Sequence, residues 1–247
     1  MTPALVSRHP VSLARLSGLA YVIIILSGIF AQIVVRGGLI DWQDASATAL
    51  AIQTDDALFR LGILADFLVF ALDIFLAVTF YRLFVAVDRG VALFALSARL
   101  VMSAVMVTAL LAETAPLLLL GDTPIAGQLD PEAAGVWSLV FLGLHNEGYI
   151  LGLMLFGLHC GALGILLTRS RYFPTFLGLL MGLSGLSYVA LGVVHFGLPA
   201  LSGVGGMLLL PAALPEFVFA GWLLVRGLNR RQWQAQIEAD GSHSERT

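Results

Sequence analysis

The chain has 247 residues, of which 59% are hydrophobic and only 12% charged, with a mean hydropathy of +0.93. A soluble domain carries about a quarter charged residues, so this composition excludes an ordinary soluble fold. A net charge of −3 gives no reason to expect a nucleic-acid partner, and the single cysteine, Cys160, rules out an intrachain disulfide and a cysteine-based zinc site.

In chain order, the first apolar run covers about 13–35. Arg8 and Arg15 near its start imitate the n-region of a signal peptide. The run is longer than a signal h-region and no small-x-small site precedes the next loop, so it reads as a retained span. The connection from Arg36 to Asp56 is polar and holds Trp42, as a surface loop or an interfacial helix would. The second and third runs cover about 57–81 and 91–112. The connection from Glu113 to Gly135 contains Pro116, Pro124 and Pro131. Within it, Asp130-Pro131 has the residue types of an N-cap and a first helical position. The fourth helix is therefore expected to start well before its apolar run at 149–168. The fifth and sixth runs cover about 173–195 and 205–225. Pro211 and Pro215 are expected to interrupt the sixth and free backbone carbonyls. Residues 232–247 form a polar tail, expected to be cytoplasmic and either irregular or lying on the inner surface.

Each run reaches the ~20 residues that cross a ~30 Å hydrocarbon core. Lipid offers no partner for unpaired backbone groups, so helices are the default; a barrel would alternate and look far less apolar. The expected fold is an all-α polytopic membrane protein, a bundle of six transmembrane helices spanning residues 1–231, with the lipid bilayer as its partner.

Arginine sets the expected orientation. There is no lysine; all 13 basic residues are arginine. Arg8, Arg15, Arg82, Arg89, Arg169, Arg171, Arg226, Arg230 and Arg231 flank one set of span ends. Only Arg36 and Arg60 flank the other, among many aspartates. The excess marks the cytoplasmic side, which places both termini there and predicts a multi-pass protein of the cell membrane.

The fourth run carries Gly148, Gly152, Gly157, Gly161 and Gly164, and the fifth Gly178, Gly182 and Gly185. Small residues spaced by four let helices approach closely. The favoured use is packing within one chain; a homo-oligomer through spans four and five is the other. Ser17-Gly18-Leu19-Ala20-Tyr21-Val22 matches Ser184-Gly185-Leu186-Ser187-Tyr188-Val189, a likeness short enough to arise by chance in so biased a composition.

Ionisable residues inside a span are costly and usually face the protein interior. Counting ~1.5 Å per residue from the arginine-marked ends, Asp73 and Arg99 fall at one depth and are expected to pair. His159 and Glu216 fall at another common depth. Nearer the opposite boundary lie Arg60, Asp66, Glu113, His145, Asn146, Glu147 and His195. Asp66 and Asp73, seven apart, share a helix face. His145, His195 and Glu113 are candidate metal ligands, though no H-x-x-x-H or H-E-x-x-H spacing is present. His145 and His159, fourteen apart, echo a haem-bearing helix, but only His195 remains to complete one bis-histidine site with His145. No G-x-S-x-G, P-loop or dinucleotide fingerprint occurs.

The stretch Leu58-Phe59-Arg60-Leu61-Gly62-Ile63-Leu64-Ala65-Asp66, continuing to Asp73 and Tyr81, resembles the bacterial membrane proteins of domain-of-unknown-function family 4386. So do His145 through Gly152, Phe156-Gly157-Leu158-His159, Arg169 to Pro174, and Pro215-Glu216 through Trp222 to Gly227. The resemblance covers about residues 8 to 228. It implies a similar number of spans and no particular activity or cofactor. It directs attention to Arg60, Asp66, Asp73, His145, His159 and Glu216.

Three functions remain open on the sequence. The favoured one is binding or transport of a small molecule or ion at a polar site among the helices, with a cavity expected to reach Glu216 and Asp66. The second is an intramembrane enzyme using metal or haem. The third is a structural or regulatory subunit whose polar residues are consumed as local pairs.

Overall fold

A computed structural model describes residues 9–244; Arg8 and the last three residues of the polar tail lie outside the described residues. Every regular element among the described residues is a helix. We label them α1 (Pro10–Leu39), α2 (Ala45–Thr54), α3 (Asp56–Phe84), α4 (Arg89–Glu113), α5 (Pro131–Arg169), α6 (Thr175–Gly197), α7 (Ser202–Val225) and α8 (Arg230–Ser244). Six of them, α1 and α3 to α7, are long and apolar enough to cross a membrane. The chain is an all-α polytopic membrane protein.

The ends of the helices follow local chemistry. Asp44 caps α2 by accepting from the Ala47 N–H at 2.8 Å. Asp130 caps α5 through the N–H groups of Glu132 and Ala133, with Pro131 at the first position as its fixed φ favours. The early start expected for the fourth helix is thus observed, and α5 runs for 39 residues. The first helix passes the expected end at Val35 and continues to Leu39. Its stretch Phe30–Arg36 is π-helical, a wider turn that takes one more residue than an α turn. The sixth helix differs from expectation: α7 continues through Pro211 and Pro215. Each proline removes one hydrogen bond, but lipid gives the remaining backbone no alternative partner, so the helix persists. The polar tail also departs from the irregular form, since it is helical from Arg230. That helix is tied at its start: the Asn229 N–H donates to the Tyr172 carbonyl at 3.2 Å, and Trp233 is buried.

The chain divides into two compact units. One comprises Met1–Ile23, Leu72–Met102 and Leu153–Thr247. Its interior is a run of edge-on, tilted and stacked aromatic rings, with Phe219 against Tyr21, Phe80 and Phe173 and Phe84 against Tyr172 and Phe173. Within this unit α5 and α6 meet backbone to backbone. A Cβ on Gly157 would lie 2.7 Å from the Gly185 carbonyl oxygen, and one on Gly164 2.8 Å from that of Gly178. Gly157, Gly164, Gly178 and Gly185 therefore serve packing inside one chain.

The other unit comprises Ile24–Ala71 and Ser103–Gly152. Val35, Leu39, Ile52, Phe59 and Leu142 form its buried apolar cluster. Gly62 admits the Val35 side chain, and Gly148 lets Ala109 come close. Large apolar side chains left exposed, such as Leu64, Phe67, Leu111 and Leu186, lie on spanning helices and suit contact with lipid.

Candidate functional site

Two buried polar centres occur, one in each unit. In the first unit, Arg99 is fully buried. Its Nε and Nη2 donate to Asp73 Oδ1, forming the expected ion pair. His159 completes the group. Its Nδ1 lies 2.8 Å from the Ala95 carbonyl and its Nε2 3.0 Å from Arg99 Nη1. A carbonyl only accepts and a guanidinium only donates, so Nδ1 carries the hydrogen and Nε2 accepts. The rings of Tyr21, Phe80 and Phe156 surround the guanidinium at 5.1 to 5.8 Å from their centroids.

Glu216, expected at the depth of His159, is held by two tyrosines. Tyr21 Oη donates to its Oε2 at 2.8 Å and Tyr188 Oη to its Oε1 at 2.5 Å. These tyrosines occupy the same position in the two matching stretches of α1 and α6. The likeness extends to neighbouring residues. The Ser17 hydroxyl lies 2.9 Å from the Leu13 carbonyl and 3.1 Å from Thr79 Oγ1, while Ser184 donates to the Ala212 carbonyl. A Cβ on Gly18 would strike the Leu223–Leu224 backbone, and one on Gly185 the Gly157–Gly161 backbone. Both stretches do the same work, bringing a helix close and aiming a hydroxyl at Glu216. Sequence reasoning missed both tyrosines because a tyrosine in an apolar run reads as apolar; the repeated Ser-Gly-x-x-Tyr was the available signal.

In the second unit the centre is built around Arg36, which the sequence counted as a loop arginine. The π-helical stretch brings it to the end of α1. Arg36 Nη1 donates to Asp66 Oδ2 and to Glu113 at 3.0 and 3.2 Å, and Nε donates to Gln32 Oε1 at 2.9 Å. His145 Nδ1 lies 3.2 Å from the Ala109 carbonyl and Nε2 lies 3.4 Å from Glu113 Oε2. The Tyr149 ring sits beside the imidazole. The available signal for Arg36 was that Asp66 and Glu113, two carboxylates at one depth, require a cation.

Arg60 is not part of either centre. It is exposed and pairs with Asp56, four residues earlier on α3. His195 is exposed at the end of α6, against Phe196. Among the described residues, Asp66, Glu113 and His145 bring ligand atoms within 4.8 Å of one another, yet Arg36 Nη1 already contacts both carboxylates and supplies the cation they need. The buried histidines do not suit a haem either, since both nitrogens of His145 and of His159 face protein partners.

The two centres differ in what they leave over. Around Arg99 and Glu216, the side-chain groups are consumed by one another. Beside Arg36 lies a cavity of about 300 Å³, lined by Gln32, Arg36, Ile40, Trp42, His145 and Tyr149, with Gly37, Leu142 and Asn146 completing the wall. This is not the cavity expected to reach Glu216 and Asp66: its wall holds Arg36 and His145, and neither of those acids lines it. Arg36 is 7% exposed, and its Nη2 group has no protein partner among the described residues.

A family model described as "Domain of unknown function (DUF4386)" matches residues 16–227. No curated protein and no solved structure matches the chain.

Proposed function

This chain belongs to domain-of-unknown-function family 4386, and we propose that it is a multi-pass protein of the cytoplasmic membrane that binds a small molecule in the Arg36 cavity and handles it there for transport or sensing. The carrying observation is a buried guanidinium with donors left over at the wall of a cavity of about 300 Å³. Ligand cavities run from roughly 300 to 1,000 Å³ and are mostly apolar with a few converging polar groups; this wall has Ile40, Leu142, Trp42 and Tyr149 beside Arg36, His145, Gln32 and Asn146. The Arg99–Asp73–His159 and Glu216 group supports a structural role for that centre, because its polar atoms already have protein partners. A metal- or haem-dependent activity draws no support from rings whose nitrogens are engaged.

The test is mass spectrometry of small molecules that co-purify with the full-length protein in mild detergent. Wild type should carry a compound that Asn146→Phe, which fills the cavity from its wall, has lost. The same compounds in both proteins, or none in wild type, would reject the site.

A further inference from the structure

We propose that the molecule taken by the Arg36 cavity is uncharged and presents a carbonyl-type oxygen on a flat apolar body, as an amide, ester or conjugated ketone does. This rests on the cavity being the binding site. The donors come first. Arg36 Nη2 offers two N–H groups, and the Gln32 amide offers two more, because its oxygen is occupied by Arg36 Nε. An acceptor oxygen is therefore what the polar end of the wall recognises.

Charge then narrows the class. The guanidinium is held on its other amino group by both Asp66 and Glu113. Neither carboxylate lines the cavity. A visitor therefore meets donors but no net positive centre. An anion would gain the hydrogen bonds and also feel two buried carboxylates just behind the guanidinium, where low dielectric makes repulsion strong. A cation would meet the guanidinium edge before any acid. Either ion would also surrender its hydration to enter, which is costly without a dedicated counter-charge. A neutral acceptor takes the hydrogen bonds without these penalties. Both His145 nitrogens are engaged by protein partners, and Asn146 adds an amide that can donate or accept; the rest of the wall is mainly apolar and aromatic: Trp42, Tyr149, Ile40 and Leu142. Flat rings suit such a surface.

Three isosteric probes separate the classes: benzamide, benzoate and benzamidine, titrated by saturation-transfer NMR on the detergent-solubilised full-length protein. Benzamide should bind with a dissociation constant at least about tenfold lower than either charged analogue, and Asn146→Phe should abolish that binding. Arg36→Lys keeps a cation for Asp66 and Glu113, so the fold should survive, but it withdraws the second amino group; benzamide binding should weaken by a similar factor. Tightest binding by benzoate or benzamidine, or saturable binding by none of the three, would overturn the ligand class. If a charged compound co-purifies and is lost in Asn146→Phe, the class fails and the site stands. If nothing depends on Asn146, the site itself fails.

Discussion

Arg99 illustrates how burial converts one side chain into an obligation on several others. Its guanidinium is fully enclosed, and Asp73, His159 and three aromatic rings are arranged around it. A buried ion pair contributes little by itself, but removing one partner strands the other. Arg99→Met should therefore lower stability by about 3–5 kcal/mol. Asp73→Leu combined with Arg99→Met should recover much of that loss, read as the thermal midpoint in detergent. A double variant as unstable as the single one would show that the pair does not set the cost. The pairing was legible because two opposite charges at one depth in apolar runs have few alternatives. The partners of Glu216 were not, since depth alone cannot tell a histidine from a tyrosine of an adjacent helix.

Among the elements, α5 and α6 depend on the absence of side chains at particular places. A methyl on Gly185 would lie 2.6 Å from the Gly157 oxygen and from the Gly161 nitrogen, while one on Gly182 would meet nothing within 4 Å. Gly185→Ala should therefore cost about 1–3 kcal/mol, as overpacking against backbone does. Gly182→Ala should be neutral, or stabilising by up to about 1 kcal/mol through helix propensity. Equal effects in a thermal melt would refute close approach as the reason for the glycines. The small-residue spacing showed where helices come near one another, but not which glycine of each pair faces a backbone. The start of α5 was legible because Asp130-Pro131 is a local signal. The continuity of α7 was not, because proline chemistry seen alone predicts a break that lipid opposes.

At the scale of the molecule, hydropathy identified the six crossings because a span must be continuous to exclude water. Arginine counting went further, to orientation, and that can be checked directly. Cys160 is buried, so introduced cysteines report without strong background. In intact cells, a membrane-impermeant maleimide should label Gln128→Cys, in the connection before α5, and spare Gln232→Cys on the C-terminal helix. The opposite pattern would invert the topology. The cavity was only half legible. Asp66 and Glu113, which hold Arg36 from outside the cavity, and the histidine of its wall stood out as polar residues in apolar surroundings, but Arg36 sat at a span end where arginines are expected for topological reasons alone.

The wide turn over Phe30–Arg36 carries a consequence for how such proteins diverge. The wide turn absorbs one residue, so deleting one between Phe30 and Val35 would restore ordinary α geometry with Arg36 still facing Asp66 and Glu113; rewinding the same stretch as α-helix without a deletion would instead rotate Arg36 by roughly 100°, off both acids. The crossing would remain and its hydropathy profile would barely change. A relative with that rewinding would keep every span while its two acids lost their shared cation, so the geometry of this turn is a better guide to whether a relative retains the pocket than its overall apolar pattern.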